Sequence, residues 1–241
     1  MCTVIITVPA DDTQPVRLLA VRDEDPGRPW DRLGAWWPET YPAVVGIRDA
    51  RAGGAWLAAA AVQRRLAVLL NRHDLSERGD DEVTTRGWLA LESASGRAPG
   101  RKPPTRGFNL VEITAHTARV VSWNGLESRT VELEPGTHMI AHDDVDDPET
   151  ARITRWLPEF RGAASAQPGD EDAWWRPWLQ IVERSADLAG DDPAAIIRRQ
   201  SFEGVPSYSL LVCVATVGEE VLDVRDAPLT TPGKWTPAPL S

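Results

Sequence analysis

The sequence predicts a single domain, spanning residues 1–241, that combines antiparallel β-hairpins with helices. Apolar, β-branched runs recur along the chain and are separated by turn residues, which is the pattern of short antiparallel strands. Amphipathic patterns with helical spacing cluster between residues 148 and 199. No low-complexity linker divides the 241 residues, a length that one domain accommodates.

The first hairpin is predicted from two apolar runs. Thr3–Val8 is β-branched and apolar, a polar turn follows, and Val16–Val21 reads as the return strand. The Trp-rich stretch Trp30–Trp37 has little period and is predicted to be a long ordered loop. Further strands are predicted at 44–49, 57–62, 66–71, 107–114, 118–123, 128–133, 207–217 and 219–224.

Four helices are predicted, at 82–93, 148–160, 172–188 and 192–199. Pro177 is expected to kink the third of these or to mark a late start. The segment 207–217 is almost wholly apolar and is predicted to be a central strand buried on both faces. Cys213 lies inside it and is interpreted as core packing.

Cys2 is the candidate nucleophile. If Met1 is removed, Cys2 carries a thiol and an α-amine, and an α-amine titrates at about 7.7 to 8.0, close enough to neutrality to accept the thiol proton. A distant histidine is then unnecessary. The alternative is that Cys2 is a small apolar residue at the start of a buried strand.

Charged residues are expected beside this thiol. Antiparallel pairing brings the end of the second strand, Arg22-Asp23-Glu24, back toward Cys2. A guanidinium there would stabilise a thiolate or an oxyanion, and a carboxylate would orient an α-ammonium. The alternative is a solvated charge cluster at a strand end.

Composition excludes several classes of function. Lys and Arg total 26 against 36 Asp and Glu, so the net charge is −10 and nucleic-acid binding is disfavoured. Two cysteines imply no disulfide framework, and no apolar run reaches the ~20 residues of a membrane span. We therefore expect a cytoplasmic protein. His138 and His142 lack a third ligand at a diagnostic spacing, so no metal site is predicted.

A series of short motifs resembles the NRDE family, the group that includes the transport and Golgi organisation protein of animals. The motifs follow the family's order at about its spacing, and they fall mainly in the first 75 residues. They are Met1-Cys2, Ala20-Val21-Arg22-Asp23-Glu24, Arg28-Pro29, Trp36-Trp37, Gly46-x-Arg48-Asp49, Gly53-Gly54-x-Trp56-Leu57 and Leu70-Asn71-Arg72. Thinner matches follow at Thr85-Arg86-Gly87, Gly107-Phe108-Asn109-Leu110, Ser122-Trp123-Asn124-Gly125 and Leu133-x-Pro135-Gly136-Thr137-His138.

The resemblance implies an α+β fold of the N-terminal nucleophile (Ntn) hydrolase type, a four-layer αββα sandwich in which helices flank two antiparallel sheets. It also implies Cys2 as the position of the nucleophile. Two departures stand out. Val21 occupies the position of the family's name-giving Asn, and Ser207-Tyr208-Ser209 replaces a Gly-Thr-x-Ser-Ser pattern near the central strand.

Three functions remain open from the sequence. The first is a cysteine amidohydrolase or acyltransferase acting on a small amide or ester without a cofactor, with Cys2, Arg22, Asp23 and Asn71 as its candidate catalytic set. The second, which the resemblance implies, is a non-catalytic protein that binds haem or an acyl lipid. Its candidate ligand-binding residues are Arg28, Trp36, Trp37, Trp56 and His73. The third is an accessory protein in which Cys2 has no chemical role.

Overall fold

The computed structural model describes residues 2–11, 13–98, 100, 102–165, 173–202 and 204–241. These residues form thirteen strands and three α-helices, with a short 3-10 helix at Asp80–Glu82. In chain order the elements are β1 (Thr3–Val8), β2 (Val16–Glu24), β3 (Trp30–Gly34), β4 (Val44–Asp49), β5 (Ala55–Ala60), β6 (Arg65–Asn71), α1 (Trp88–Ala94), β7 (Phe108–Ile113), β8 (Ala118–Trp123), β9 (Ser128–Glu132), β10 (Gly136–Ile140), α2 (Ala151–Ser165), α3 (Arg176–Ser185), β11 (Arg199–Phe202), β12 (Val205–Val217) and β13 (Leu222–Pro228).

Two antiparallel sheets contain all of these strands. The first sheet has the order β10-β1-β2-β12-β11, and β13 also pairs with β12. The second sheet has the order β3-β4-β5-β6-β7-β8-β9, so neighbours in the sequence are neighbours in space. In the first sheet β12 reaches β2 from the far end of the sequence, and this long-range pairing includes Ser209 opposite Asp23.

The sheets pack face to face, and helices cover their outer faces. Alternate residues of β1 face two different hydrophobic cores. Val4 and Ile6 pack in the core between the sheets, and Ile5 packs in the core between the first sheet and its helices. Helices α2 and α3 cover the first sheet, and α1 covers β5, β6 and β7 of the second. The predicted α+β sandwich of two antiparallel sheets flanked by helices is confirmed.

Several element boundaries differ from the sequence prediction. Trp30–Gly34 is not a loop but an edge strand, since it pairs with β4 across a bulge. The predicted helix at 192–199 is wrong, because 192–198 forms turns and bends and β11 then pairs with β12. Helix α1 begins only at Trp88, since Gly87 packs against Gly54, and the helix predicted from 172 begins at Arg176 next to Pro177. Residue 172 lies outside the described residues.

Cys213 is fully buried between the sheets, as predicted. Within the described part of the chain, no helix has the length and apolarity that a membrane crossing requires.

Candidate active site

A pocket of about 290 Å³ opens where the ends of β1 and β2 meet the second sheet. The start of β1 contributes Cys2, and the end of β2 contributes three charged residues in a row, Arg22, Asp23 and Glu24. Strands β4 to β6 and the segment 84–87 form the opposite wall. The pocket therefore draws on both sheets, and its position follows from the pairing of β1 with β2.

Cys2 is held by the backbone of the neighbouring strand. Thr3 pairs with Val21, and one residue further Cys2 lies opposite Arg22. The Cys2 sulfur accepts a hydrogen bond from the Asp23 backbone N–H at 3.4 Å and lies 3.7 Å from the Asp23 carbonyl oxygen. Cys2 is 7% exposed, and burial, reinforced by the charge of Asp23, raises the pKa of its thiol. The thiol therefore needs a base before it can attack a carbonyl.

Arg22 brings a buried positive charge to the same pocket. Arg22 is 2% exposed, and its guanidinium lies 5.9 Å from the ring centre of Trp30. The guanidinium forms an ion pair with Glu24, at 3.6 Å between Nη2 and Oε2. Nη1 is buried and finds no hydrogen-bond partner among the described residues. An unpaired donor on a buried cation is costly, which is typical of a binding or catalytic site.

Asp23 joins the pocket to the helical layer. Its carboxylate accepts a hydrogen bond from Ser209 Oγ at 2.6 Å, and the same Oγ accepts one from the Arg198 backbone N–H at 2.8 Å. Beside it, Arg152 of α2 donates to Thr3 Oγ1 at 2.8 Å, and burial lowers the pKa of Arg152 to about 10. The ends of β1 and β2 are therefore fixed from behind by β12 and α2.

The opposite wall contains an ion pair. Arg28 donates to Asp49 Oδ2 from Nε at 2.9 Å and from Nη2 at 2.6 Å. This contact raises the pKa of Arg28. Burial alone would raise the pKa of Asp49, but the bonds that it accepts from Arg28 and from the backbone hold that pKa below its usual value.

A close backbone contact brings the segment 84–87 against the pocket. A β-carbon on Gly54 would lie 2.6 Å from the Gly87 Cα, and Ala55 N–H donates to the Gly87 carbonyl at 3.0 Å. Only glycine at both positions permits this approach. Arg86 is thereby placed on the wall, where its Nη1 donates to the Gly107 carbonyl at 2.9 Å and burial lowers the pKa of its guanidinium.

The structure brings together six of the nine residues nominated from the sequence. All four candidate catalytic residues line the pocket, as do two of the candidate ligand-binding residues: Cys2, Arg22, Asp23, Asn71, Arg28 and Trp56. The other three lie elsewhere. Trp36 stacks on Arg48 and bonds to the Arg32 carbonyl, Trp37 bonds to the Gly53 carbonyl, and His73 is exposed.

Sequence reasoning missed part of the wall. Arg86, Arg106 and Asp49 line the pocket, and Ser209 supports it from behind, but none of them was assigned a role. Gly54, which faces Gly87, was the available signal for a close backbone approach near residue 86. No local pattern indicates that Ser209 meets a residue 186 positions earlier.

His138 and His142 bind separate carboxylates. His138 Nδ1 lies 2.8 Å from Asp146 Oδ2, and this contact raises the pKa of the imidazole. His142 Nε2 lies 3.1 Å from Asp143, and burial lowers the pKa of His142. Neither histidine lines the pocket around Cys2.

Fold and site define a class: an α+β two-sheet protein in which an early cysteine lies in an arginine-lined pocket between the sheets. The chain matches the Transport and Golgi organisation 2 family over residues 1–195 and belongs to that family. The match covers β1 to α3 and the whole pocket wall, and it ends before β12. No curated protein matches the chain.

The departure from the family pattern at Val21 lies away from the pocket. Val21 is fully buried in the core between the first sheet and its helices, and Cys2 packs on the other face of the sheet. The pocket lining therefore does not include the position of the name-giving Asn.

Proposed function

We propose that this protein is an N-terminal cysteine amidohydrolase or acyltransferase of the Ntn hydrolase type, acting on a small amide or ester. The observation that carries the proposal is that the Cys2 thiol shares its pocket with the buried guanidinium of Arg22, whose Nη1 has no hydrogen-bond partner among the described residues. A nucleophile beside a buried cation with one unused N–H donor suits acyl transfer, because that reaction develops negative charge on oxygen.

The chemistry proceeds in two halves. The Cys2 sulfur forms a bond to the substrate carbonyl carbon, and the thiol proton passes to the α-amine of Cys2, directly or through one water. The carbonyl oxygen becomes an oxyanion, which Arg22 and the Asn71 side-chain amide stabilise. The carbon–nitrogen or carbon–oxygen bond then breaks, and the α-ammonium returns its proton to the leaving group. A thioester remains on Cys2, and water or an acceptor amine releases the acyl group.

The requirement for an α-amine follows from the environment of the sulfur. Burial raises the pKa of Cys2, so the thiol is protonated at neutral pH, and no histidine lines the pocket among the described residues. We assign the role of the base to an amine on residue 2 itself, which exists only after Met1 is removed. Met1 lies outside the described residues.

The intact mass of the purified protein tests this requirement. The proposal predicts a mass lower by one methionine residue, together with thioester formation on Cys2. A protein that keeps Met1 and still hydrolyses its substrate at Cys2 contradicts the proposed base.

Binding of haem or an acyl lipid, the alternative from the sequence, has less support from this pocket. The lining carries seven charged residues, and the apolar candidates Trp36 and Trp37 and the exposed His73 do not contribute to it. A titration of haemin in reducing buffer, repeated on His73→Ala and Trp36→Ala, tests the alternative. We expect the same absorbance change in both variants as in the unmodified protein.

A further inference from the structure

The pocket has the opposite electrostatic character to the protein as a whole. The chain carries a net charge of −10, yet four arginines line this one cavity: Arg22, Arg28, Arg86 and Arg106. Three acidic residues also contribute to the lining, Asp23, Glu24 and Asp49. A local excess of cations on an acidic protein selects for an anionic ligand, because the rest of the surface repels one.

Part of this positive charge is already neutralised. Asp49 binds Arg28 through two short hydrogen bonds and so neutralises it. The Asp23 carboxylate accepts a hydrogen bond from the neutral Ser209 Oγ, on the helical face of the sheet. Glu24 lies 3.6 Å from Arg22 and 4.0 Å from Arg28 and forms a short bond with neither. Arg86 donates to a carbonyl oxygen, which carries no full negative charge. Among the described residues, Arg22 therefore has only the 3.6 Å contact with Glu24 as an ion pair, and Arg86 has none.

Two buried donors on residues of the lining also find no acceptor among the described residues. One is Arg22 Nη1, and the other is the indole Nε1 of Trp56, a residue that is 6% exposed. Buried polar groups are almost always hydrogen-bonded, so two orphan N–H groups in one small cavity indicate that the cavity serves a ligand with acceptor oxygens. A carboxylate has two such oxygens and matches the planar fork of a guanidinium.

We propose that the substrate of the proposed reaction carries a carboxylate close to its amide or ester group, and that Arg22, Arg86 and Trp56 Nε1 recognise it. This inference rests on the proposed function only in that it calls the bound molecule a substrate. The recognition itself requires neither turnover nor removal of Met1.

The test compares two alkylating reagents that differ in charge. Iodoacetate and iodoacetamide place a carboxylate and a neutral carboxamide on the same reactive carbon, and the rate of alkylation at Cys2 is read by mass spectrometry of its peptide. The rate ratio of iodoacetate to iodoacetamide is measured at Cys2 and, as a reference, at the neutral thiol of 2-mercaptoethanol. We expect the ratio at Cys2 to exceed the reference about tenfold, as a buried charge-assisted hydrogen bond implies.

Variants assign the preference to named side chains. Arg86→Gln and Trp56→Phe should each lower the ratio severalfold, and Arg86→Lys should retain part of it because the charge remains. The matched controls, Arg155→Gln on the exposed face of α2 and Trp235→Phe near the C-terminus, should leave it unchanged. Cys213, buried between the sheets, serves as an internal control, because its alkylation in the same digest reveals any variant that unfolds.

A ratio at Cys2 equal to the reference, or one that survives both pocket variants, overturns the carboxylate site. The two proposals fail separately. A strong preference for iodoacetate in a protein that forms no thioester supports the carboxylate site and contradicts the hydrolase.

Discussion

The carboxylate of Asp23 accepts a hydrogen bond from Ser209 Oγ at 2.6 Å, while the backbone N–H of the same residue donates to the Cys2 sulfur at 3.4 Å. Successive side chains of β2 alternate between the two faces of the sheet, so Arg22 lies on the inner face with Cys2 and the Asp23 side chain on the helical face. Asp23 therefore links β12 to the thiol: its side chain bonds to Ser209 of β12, and its backbone N–H bonds to the Cys2 sulfur.

We predict that Ser209→Ala destabilises the fold. The substitution leaves the buried Asp23 carboxylate and the Arg198 N–H each without one partner, which should lower the free energy of unfolding by about 1–3 kcal/mol. Urea denaturation measures this value. Ser128→Ala, at an exposed position of β9, is the matched control and should stay within about 0.5 kcal/mol. Equal effects of the two substitutions would show that the Ser209 contact does not matter.

Gly54→Ala should disturb the pocket wall. The added β-carbon would lie 2.6 Å from Gly87 Cα, so the segment 84–87 must move, at a cost of about 1–3 kcal/mol. We expect lower thermal stability and a changed alkylation ratio at Cys2, because Arg86 moves with the segment. Gly162→Ala in α2 meets nothing within 4 Å and should be neutral or stabilising. Normal stability of Gly54→Ala contradicts the close contact.

The sequence predicts the strands better than the segments between them. Continuous apolar, β-branched runs indicate β1, β2 and β12, because these strands are buried on both faces. Trp30–Gly34 was predicted to be a loop because an edge strand with a bulge has no clean alternation. The segment after Asp192 carries helix-like signals, but its last residues pair with β12 instead, a long-range interaction that overrides local propensity.

The sequence predicts only the part of the candidate site that a single hairpin forms. Cys2, Arg22 and Asp23 come together through a single β1–β2 pairing, which the two apolar runs predict. Arg86 and Arg106 reach the same pocket from segments without a regular period, through a backbone contact and the packing of two sheets. Trp36 and Trp37 are predicted ligand-binding residues because of their apolar area, yet each indole N–H bonds to the backbone carbonyl of a residue outside the pocket lining.

Substitutions of the two cysteines should have different effects, on activity at Cys2 and on stability at Cys213. Cys2→Ala is predicted to reduce esterase activity toward 4-nitrophenyl acetate by at least ~10³-fold, as loss of a nucleophile does in other acyl-transfer enzymes. Cys213→Ser buries a hydroxyl between the sheets and should cost about 1–3 kcal/mol of stability with little change in activity of the folded protein. Initial rates and urea denaturation on both variants check this. Similar activity losses in both would place the chemistry elsewhere.

The stability contribution of His138 should depend on pH. Its contact with Asp146 raises the pKa of the folded-state imidazole above the unfolded value, so the stabilisation is fully present below the unfolded pKa and is lost as pH rises through the folded pKa. His138→Asn should therefore cost about 1 kcal/mol more at pH 5.5 than at pH 8.5, a modest figure for a half-buried pair. His73→Gln, at an exposed position, is the control for the loss of an imidazole. A penalty for His138→Asn that is larger at high pH contradicts the assignment.

The central claim is that Cys2 carries the acyl group, and acid-quenched intact-mass spectrometry during turnover of 4-nitrophenyl acetate tests it most directly. We predict one added acetyl group on the Met1-free protein, located at Cys2 by peptide mapping, and a matching burst of 4-nitrophenolate. Both signals should vanish in Cys2→Ala and persist in Cys213→Ser. Turnover without an adduct on Cys2, or an equal adduct in Cys2→Ala, would contradict the account.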